Sequence, residues 1–332
     1  MLVVVAASLI GLFVLAVIVA LALAASPAPP MSAPRDVFDF ASRQKIPVAA
    51  GMPDLQRYKA RDGEQLAYRF YDSAADRILI FIHGSSYHGG GYHALAAAVS
   101  SKGAAKVVLP NLRGHYLSGR RRGDVDYVGQ LEDDLVDLIA YLRAEHRTGP
   151  ITLGGHSSGA GLAIRFAGGG HSAAGVSSYL LLAPIILRAP SVRGGDAGGW
   201  ANVNFKRLFG LLALNAIGIH GFNGLPLVEF NKPPQFWDGT ETLSYSYRLN
   251  VSYHPRASYQ GDVRALGAQT LVLVGANDEA VDPDGLRAVF TADDPQAQIT
   301  TMPGISHFGI FSEPAALDAI TAWLRALPAG SQ

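Results

Sequence analysis

Three widely separated side chains in this sequence could cooperate in breaking a carbonyl bond. Ser157 lies in Gly155-His156-Ser157-Ser158-Gly159, directly after the apolar run that begins at Ile151 and ahead of helix-forming residues. That order predicts a strand, a sharp turn and a helix, with the serine hydroxyl exposed on the turn. Gly155 and Gly159 fit because a Cβ at either position would collide where strand and helix pass the serine. A free serine hydroxyl is a weak nucleophile and needs a base within hydrogen-bond reach. His307, on the loop between the last strand expected (297–302) and a closing helix (314–327), is placed for that role. Asp278 follows the apolar run 270–274 and Gly275, where a carboxylate can hold the imidazole tautomer and stabilise the imidazolium that forms during attack. Glu279 and Asp282 are weaker candidates, and Asp282 before Pro283 reads as a turn former. His156 adjoins the serine, but on a tight turn its side chain is expected to point away from it.

Attack by serine leaves negative charge on the carbonyl oxygen, and preorganised backbone N–H groups there give the largest electrostatic gain. The apolar run 77–82 ends in His83-Gly84-Ser85-Ser86, so the expected donors are the backbone amides of Ser85 and of Ser158, the residue after the nucleophile. His88-Gly89-Gly90-Gly91 is a rival donor loop, but it starts five positions beyond the strand end.

Elements that could position these groups are legible on either side. Asp62-Gly63 separates two alternating stretches, as in a tight antiparallel hairpin. The runs at 77–82, 105–110, 151–154, 178–183 and 270–274 are nearly unbroken apolar segments, as expected of strands buried on both faces. Helical spacing is evident at 92–101 and 129–146, and the alternation requires right-handed parallel crossovers. Glu132, Asp133, Asp134 and Asp137 on the second helix read as a solvated face rather than a metal site. The expected fold class is α/β, with a mostly parallel central sheet and helices on both faces. No strand signal of similar quality occurs between 184 and 270, so about 188–265 is expected to be an insertion folding as a cap. Within it Phe205, Leu208, Phe209, Leu211, Leu212 and Leu214, together with Phe222, Phe230, Phe236 and Trp237, are expected mostly to pack the cap onto the body, a minority lining an acyl pocket. Gly194, Gly195, Gly198 and Gly199 around Asp196 would permit a hinge.

The stretch His83–Tyr92, followed by Ala94-Leu95-Ala96, resembles the oxyanion loop of the monoacylglycerol lipase and lysophospholipase (serine aminopeptidase-like) group of α/β-hydrolases. Arg113-Gly114-His115-Tyr116-Leu117-Ser118 is similar to that group's strand-end motif, with Tyr116 where glycine is usual. The resemblance covers roughly Tyr58 to Pro184 and Thr270 to the end, and the order Ser157, Asp278, His307 is the one α/β-hydrolases use. It implies an α/β-hydrolase fold and an acyl-enzyme serine hydrolase acting on carboxylic esters, lipid or acylglycerol esters above all. An aminopeptidase shares the same motifs, and a membrane-tethered binding protein on this fold is a further reading. Acids in the cap able to hold an amine would favour the peptidase, and Asp196, Glu229, Asp238 and Glu241 are scattered.

With 332 residues, 49% of them hydrophobic, the chain can bury one large core without a second domain. Its formal net charge of zero and scattered basic residues leave no nucleic-acid footprint, and Arg120-Arg121-Arg122 reads as a solvated loop. The absence of cysteine excludes thiol catalysis and cysteine-ligated metals, and no metal or organic cofactor is implied. Residues 1–25 carry no charge and are long enough to span a bilayer, which favours an uncleaved single-pass anchor. The small residues Ala22, Ala24 and Ala25 before Ser26 keep open a signal cleaved on secretion. Arg35, Arg43 and Lys45 lie after the segment and no Lys or Arg before it, which argues for a cytoplasmic body. Residues 26–50 are expected to form a proline-rich linker and 51–332 the hydrolase domain.

Overall fold

The computed structural model describes residues 2–31, 38–40, 51–194, 199–267 and 269–329. Arg35, Arg43, Lys45, Gly195, Asp196 and Gly198 lie outside the described residues. Helix α1 (Leu2–Ala24) is followed by the hairpin β1 (Gln56–Lys59) and β2 (Gln65–Tyr71), closed at Asp62-Gly63 with Gly63 at φ 89°. Then come β3 (Ile78–Ile82), α2 (His93–Ser101), β4 (Lys106–Pro110), α3 (Gln130–Ala144), β5 (Ile151–His156), α4 (Ser158–Gly168) and β6 (Val176–Leu182). After a long intervening segment the alternation resumes with β10 (Thr270–Gly275), α8 (Pro283–Asp293), β11 (Gln298–Met302) and α9 (Pro314–Ala326).

Eight strands form one sheet in the order β1-β2-β4-β3-β5-β6-β10-β11. Only β1 with β2 and β2 with β4 pair antiparallel, and every other neighbour is parallel. Parallel strands need a covering layer on both faces, and every residue of β3, β5 and β10 is buried. Each fully buried Ile, Leu, Val or Phe side chain contributes about 1.5–3 kcal/mol. The strands point their carboxyl ends to one edge, where open α/β sheets hold ligands. Ser157 follows β5, Ser85 follows β3, Asp278 follows β10 and His307 follows β11, so all four loops gather at that edge.

The segment between β6 and β10 holds β7 (Ala201–Val203), α5 (Phe205–Ala216), β8 (Pro226–Phe230), β9 (Ser244–Ser246), α6 (Tyr247–Ser252) and α7 (Tyr259–Arg264). Strands β7, β8 and β9 form a second, antiparallel sheet. Three to five residues each, they are too short to give an alternating pattern, and their signal is lost among Gly, Pro and Asn.

Two expectations are corrected. Glu132 and Asp134 on α3 are buried rather than solvated. Asp134 takes a bidentate pair from Arg113, Nε at 2.9 Å and Nη2 at 2.7 Å, while Glu132 pairs with Arg165 and, at 2.7 Å, with Arg256. Asp133 and Asp137 are partly exposed and pair with Arg61. Buried carboxylates are tolerated when paired and hydrogen-bonded, and these two tie the cover helix to the Arg113 loop and to α4. Among the described residues no group of acids and histidines is placed to hold a metal. The second correction concerns α5. Leu211 and Leu214 are buried, but Phe205, Phe209 and Leu212 are exposed, as are Phe222 and Trp237 beyond the helix, so these five pack nothing onto the body.

Candidate active site

Ser157 sits at φ 57° and ψ −122°, a region costing of order 1–3 kcal/mol for a residue with a side chain. Its backbone is pinned on all sides: its N–H donates to Leu182 O at 2.9 Å, and its carbonyl accepts from Gly161 N and Ile185 N, both at 3.1 Å. A Cβ on Gly155 would lie 2.4 Å from the Gly159 carbonyl carbon, and one on Gly159 would lie 2.4 Å from the oxygens of Ile82 and His83. Nothing larger than glycine fits at either position.

His307 presents Nδ1 to both oxygens of Asp278, at 3.0 and 2.9 Å, which leaves Nε2 as the ring nitrogen for other work. The same carboxylate accepts from the amides of Ala280 at 2.9 Å and Val281 at 2.7 Å. Both side chains are buried. Glu279 contacts the backbone rather than the ring of the histidine, accepting from His307 N at 2.8 Å. Asp282 caps α8 by accepting from Gly285 N at 2.8 Å. Ser157 and His307 line one cavity together with Gly84, Ser85 and His156.

The amides of Ser85 and Ser158 have no acceptor among the described residues, and the two hydroxyls bond each other at 2.6 Å. The rival loop has spent its amides. Gly89 N donates to Asn111 Oδ1, Gly90 N to His88 Nδ1 and Gly91 N to His88 O.

Behind these groups lies a set of neutral hydrogen bonds. Gly84 N donates to Tyr92 Oη at 2.9 Å, and that hydroxyl is 2.9 Å from His156 Nδ1. His156 Nε2 lies 2.9 Å from the carbonyl of His307 and must donate to it, so Nδ1 accepts from Tyr92. The His156 side chain therefore turns toward the His307 loop, joining it to the loop of Gly84. In parallel, Ser86 N donates to Tyr245 Oη at 2.7 Å, Tyr245 donates to His115 Nε2 at 2.6 Å, and His115 Nδ1 donates to Arg113 O at 3.2 Å. Leu112 N donates to His83 Nε2 at 3.1 Å, and Tyr253 donates to His83 O. Tyr245 and Tyr253 belong to the segment between β6 and β10, so that segment clamps the loop carrying Ser85.

A second, larger cavity is lined mainly by apolar side chains, among them Ile185, Val203, Val228 and Phe230, with Asn250, His254, Ser85, Ser157 and Ser158 as polar exceptions. Phe230 alone of the aromatic and leucine candidates for such a lining is there. The other lining residues were not distinguishable in sequence, being single apolar positions on short strands and loops. Ser85, Ser157, Trp200 and Phe38 border both cavities.

The profile of the alpha/beta hydrolase family matches residues 79–320. The chain belongs to that family. Among solved structures this hydrolase is similar to a soluble variant of monoglyceride lipase from Saccharomyces cerevisiae, with TM-score 0.63 and 17% identity over 84% of this chain and 97% of the other. It is also similar to the monoacylglycerol lipase of Paleococcus ferrophilus (TM-score 0.57, 20% identity, 79% and 98% covered). A thermophilic esterase from Thermogutta terrifontis gives TM-score 0.56 and 23% identity, with 81% and 98% covered. At these identities the likeness establishes the fold. No curated protein sequence matches the hydrolase.

Burial pushes His115 down to about 4 and does the same to His254, helped there by Arg165. Both are therefore neutral in the fold and titrate near 6.5 once unfolded. The unfolded chain binds more protons between these values, so their contribution is complete above pH 6.5 and is lost as pH falls toward 4. At pH 5 each removes about 2 kcal/mol. Melting at pH 5.0 is expected well below that at pH 7.5, with a smaller drop in His254→Gln. An equal drop in both proteins would contradict the assignment.

Proposed function

We propose that this hydrolase is a serine esterase that forms an acyl-enzyme on Ser157, acting on lipid or acylglycerol-type carboxylic esters. The observation that carries this reading is the shared cavity, in which a strained Ser157 lies with Ser85 and with a His307 whose Nδ1 is held by Asp278. In the proposed reaction Ser157 Oγ attacks the ester carbonyl carbon while its proton passes to His307 Nε2. The carbonyl oxygen becomes an anion facing the amides of Ser85 and Ser158. Loss of one such donor typically costs about 10²–10³ in kcat. Collapse expels the alcohol, whose oxygen takes the proton from His307. Water then repeats the sequence on the acyl-enzyme and releases the acid. Asp278 stays ionised and stabilises the imidazolium.

The apolar cavity suits a hydrocarbon acyl chain. Among the described residues no carboxylate lines either cavity to hold a substrate amine, which favours esters over amino-terminal peptides. The segment between β6 and β10, about 188–265, is read as the cap over this site.

Helix α1 is apolar enough to cross a membrane, a property that signal sequences share. Its contacts favour a retained anchor. A Cβ at Gly210 on α5 would come within 2.4 Å of Ala24 N and 2.5 Å of Ala20 O, so α5 is shaped to receive α1. Arg207 Nε donates to Ala24 O at 3.0 Å, capping the membrane helix, and Asn204 Nδ2 donates to Pro27 O at 2.9 Å. The exposed Phe205, Phe209 and Leu212 lie on that same α5, where a bilayer would cover them.

Two outcomes are expected. Turnover of ethyl esters should favour long over short acyl chains and fall at least 10³-fold in folded Ser157→Ala; folded wild type that hydrolyses none of them would contradict the esterase reading. Protein recovered from expressing cells should resist carbonate extraction from membranes and retain residues 1–25 by intact mass. A soluble product beginning near Ser26 would contradict the anchor.

A further inference from the structure

Phe38 lies in the stretch joining the apolar helix to the body, 14 residues beyond the end of α1 at Ala24. It is 3% exposed and stacks on the imidazole of His307, with ring centroids 5.0 Å apart and planes inclined by 21°. Trp200 and Phe308 pack against its other sides at 5.4 and 5.1 Å. Closer to the helix, Ser26, Pro27 and Pro29 are held by Arg207, Asn204 and Asn202. Phe38 also borders both cavities.

The two cavities differ in chemistry. An ester placed on Ser157 must lay its leaving oxygen against His307, which supplies the proton that lets the alcohol depart. The alcohol part therefore belongs in the smaller compartment, which His307 lines, and the acyl chain in the larger, apolar one. In the smaller compartment the ring over the imidazole is that of Phe38. We propose that Phe38 is the specificity-determining residue for the alcohol part of the ester, limiting it to small unbranched alcohols, so that the stalk of the apolar helix forms one wall of the leaving-group site. The inference rests on the esterase reading above.

The test uses the full chain in detergent micelles with ethyl octanoate and cyclohexylmethyl octanoate, which share an acyl group and release primary alkanols of similar acidity. Wild type, Ser157→Ala, Phe38→Ala and Phe38→Trp are compared by kcat/KM after each is shown to melt cooperatively. Wild type is expected to prefer the ethyl ester, Phe38→Ala to reduce that preference about tenfold or more, and Phe38→Trp to increase it. Equal loss on both esters would mean that Phe38 only supports His307, and the inference falls. An unchanged preference in both variants overturns it as well. If wild type cleaves neither ester, the esterase reading fails and takes this inference with it, an outcome distinct from the other two.

Discussion

A serine held at φ 57° and ψ −122° is the constraint around which the rest of the molecule is arranged. The conformation is unfavourable by itself and persists only because the surroundings over-determine it. Bonds to Leu182, Gly161 and Ile185 fix its backbone, and contact distances of 2.4 Å from ideal Cβ positions at Gly155 and Gly159 show how little room the helix and strands leave. The strained turn stands at the point where the loops after β3, β10 and β11 converge.

The candidate site residues sit on loops, and loops are the parts of a fold least fixed by secondary structure. Here they are cross-linked by neutral groups. Tyr92 and His156 join the Gly84 loop to the His307 carbonyl; Tyr245 and His115 join the Ser86 loop to the strand-end loop at Arg113. Buried polar chains of this kind stabilise only when every member is satisfied, which requires the histidines to stay uncharged. The same burial that pushes His115 down to about 4 thus keeps its Nε2 free to accept from Tyr245. Sensitivity to acid and the geometry of the site are consequences of one arrangement.

The fold was largely legible because its signals are local. Unbroken apolar strands, a hairpin at Asp62-Gly63 and amphipathic helices locate the body, and Ser157, Asp278 and His307 each follow a recognisable strand end. What lay beyond reach depended on contacts distant in sequence. Phe38 stands in a stretch read as linker, and only the folded chain brings it onto His307. His156 was expected to be a bystander of the turn, yet its ring reaches the backbone of a residue 151 positions away. Glu132 and Asp134 look like solvated acids until Arg165, Arg256 and Arg113 are seen against them. In α5 composition was apparent but direction was not: Gly210 packs on α1 and Leu211 and Leu214 are buried, leaving Phe205 and Phe209 exposed.

The most direct test of the central claim is to treat the detergent-solubilised full chain with an alkyl fluorophosphonate, digest it and locate the adduct by mass spectrometry. The account predicts one adduct per chain on Ser157, formed about 10³-fold more slowly in His307→Ala. A folded protein that takes up no label, or takes it up on another residue, would contradict it.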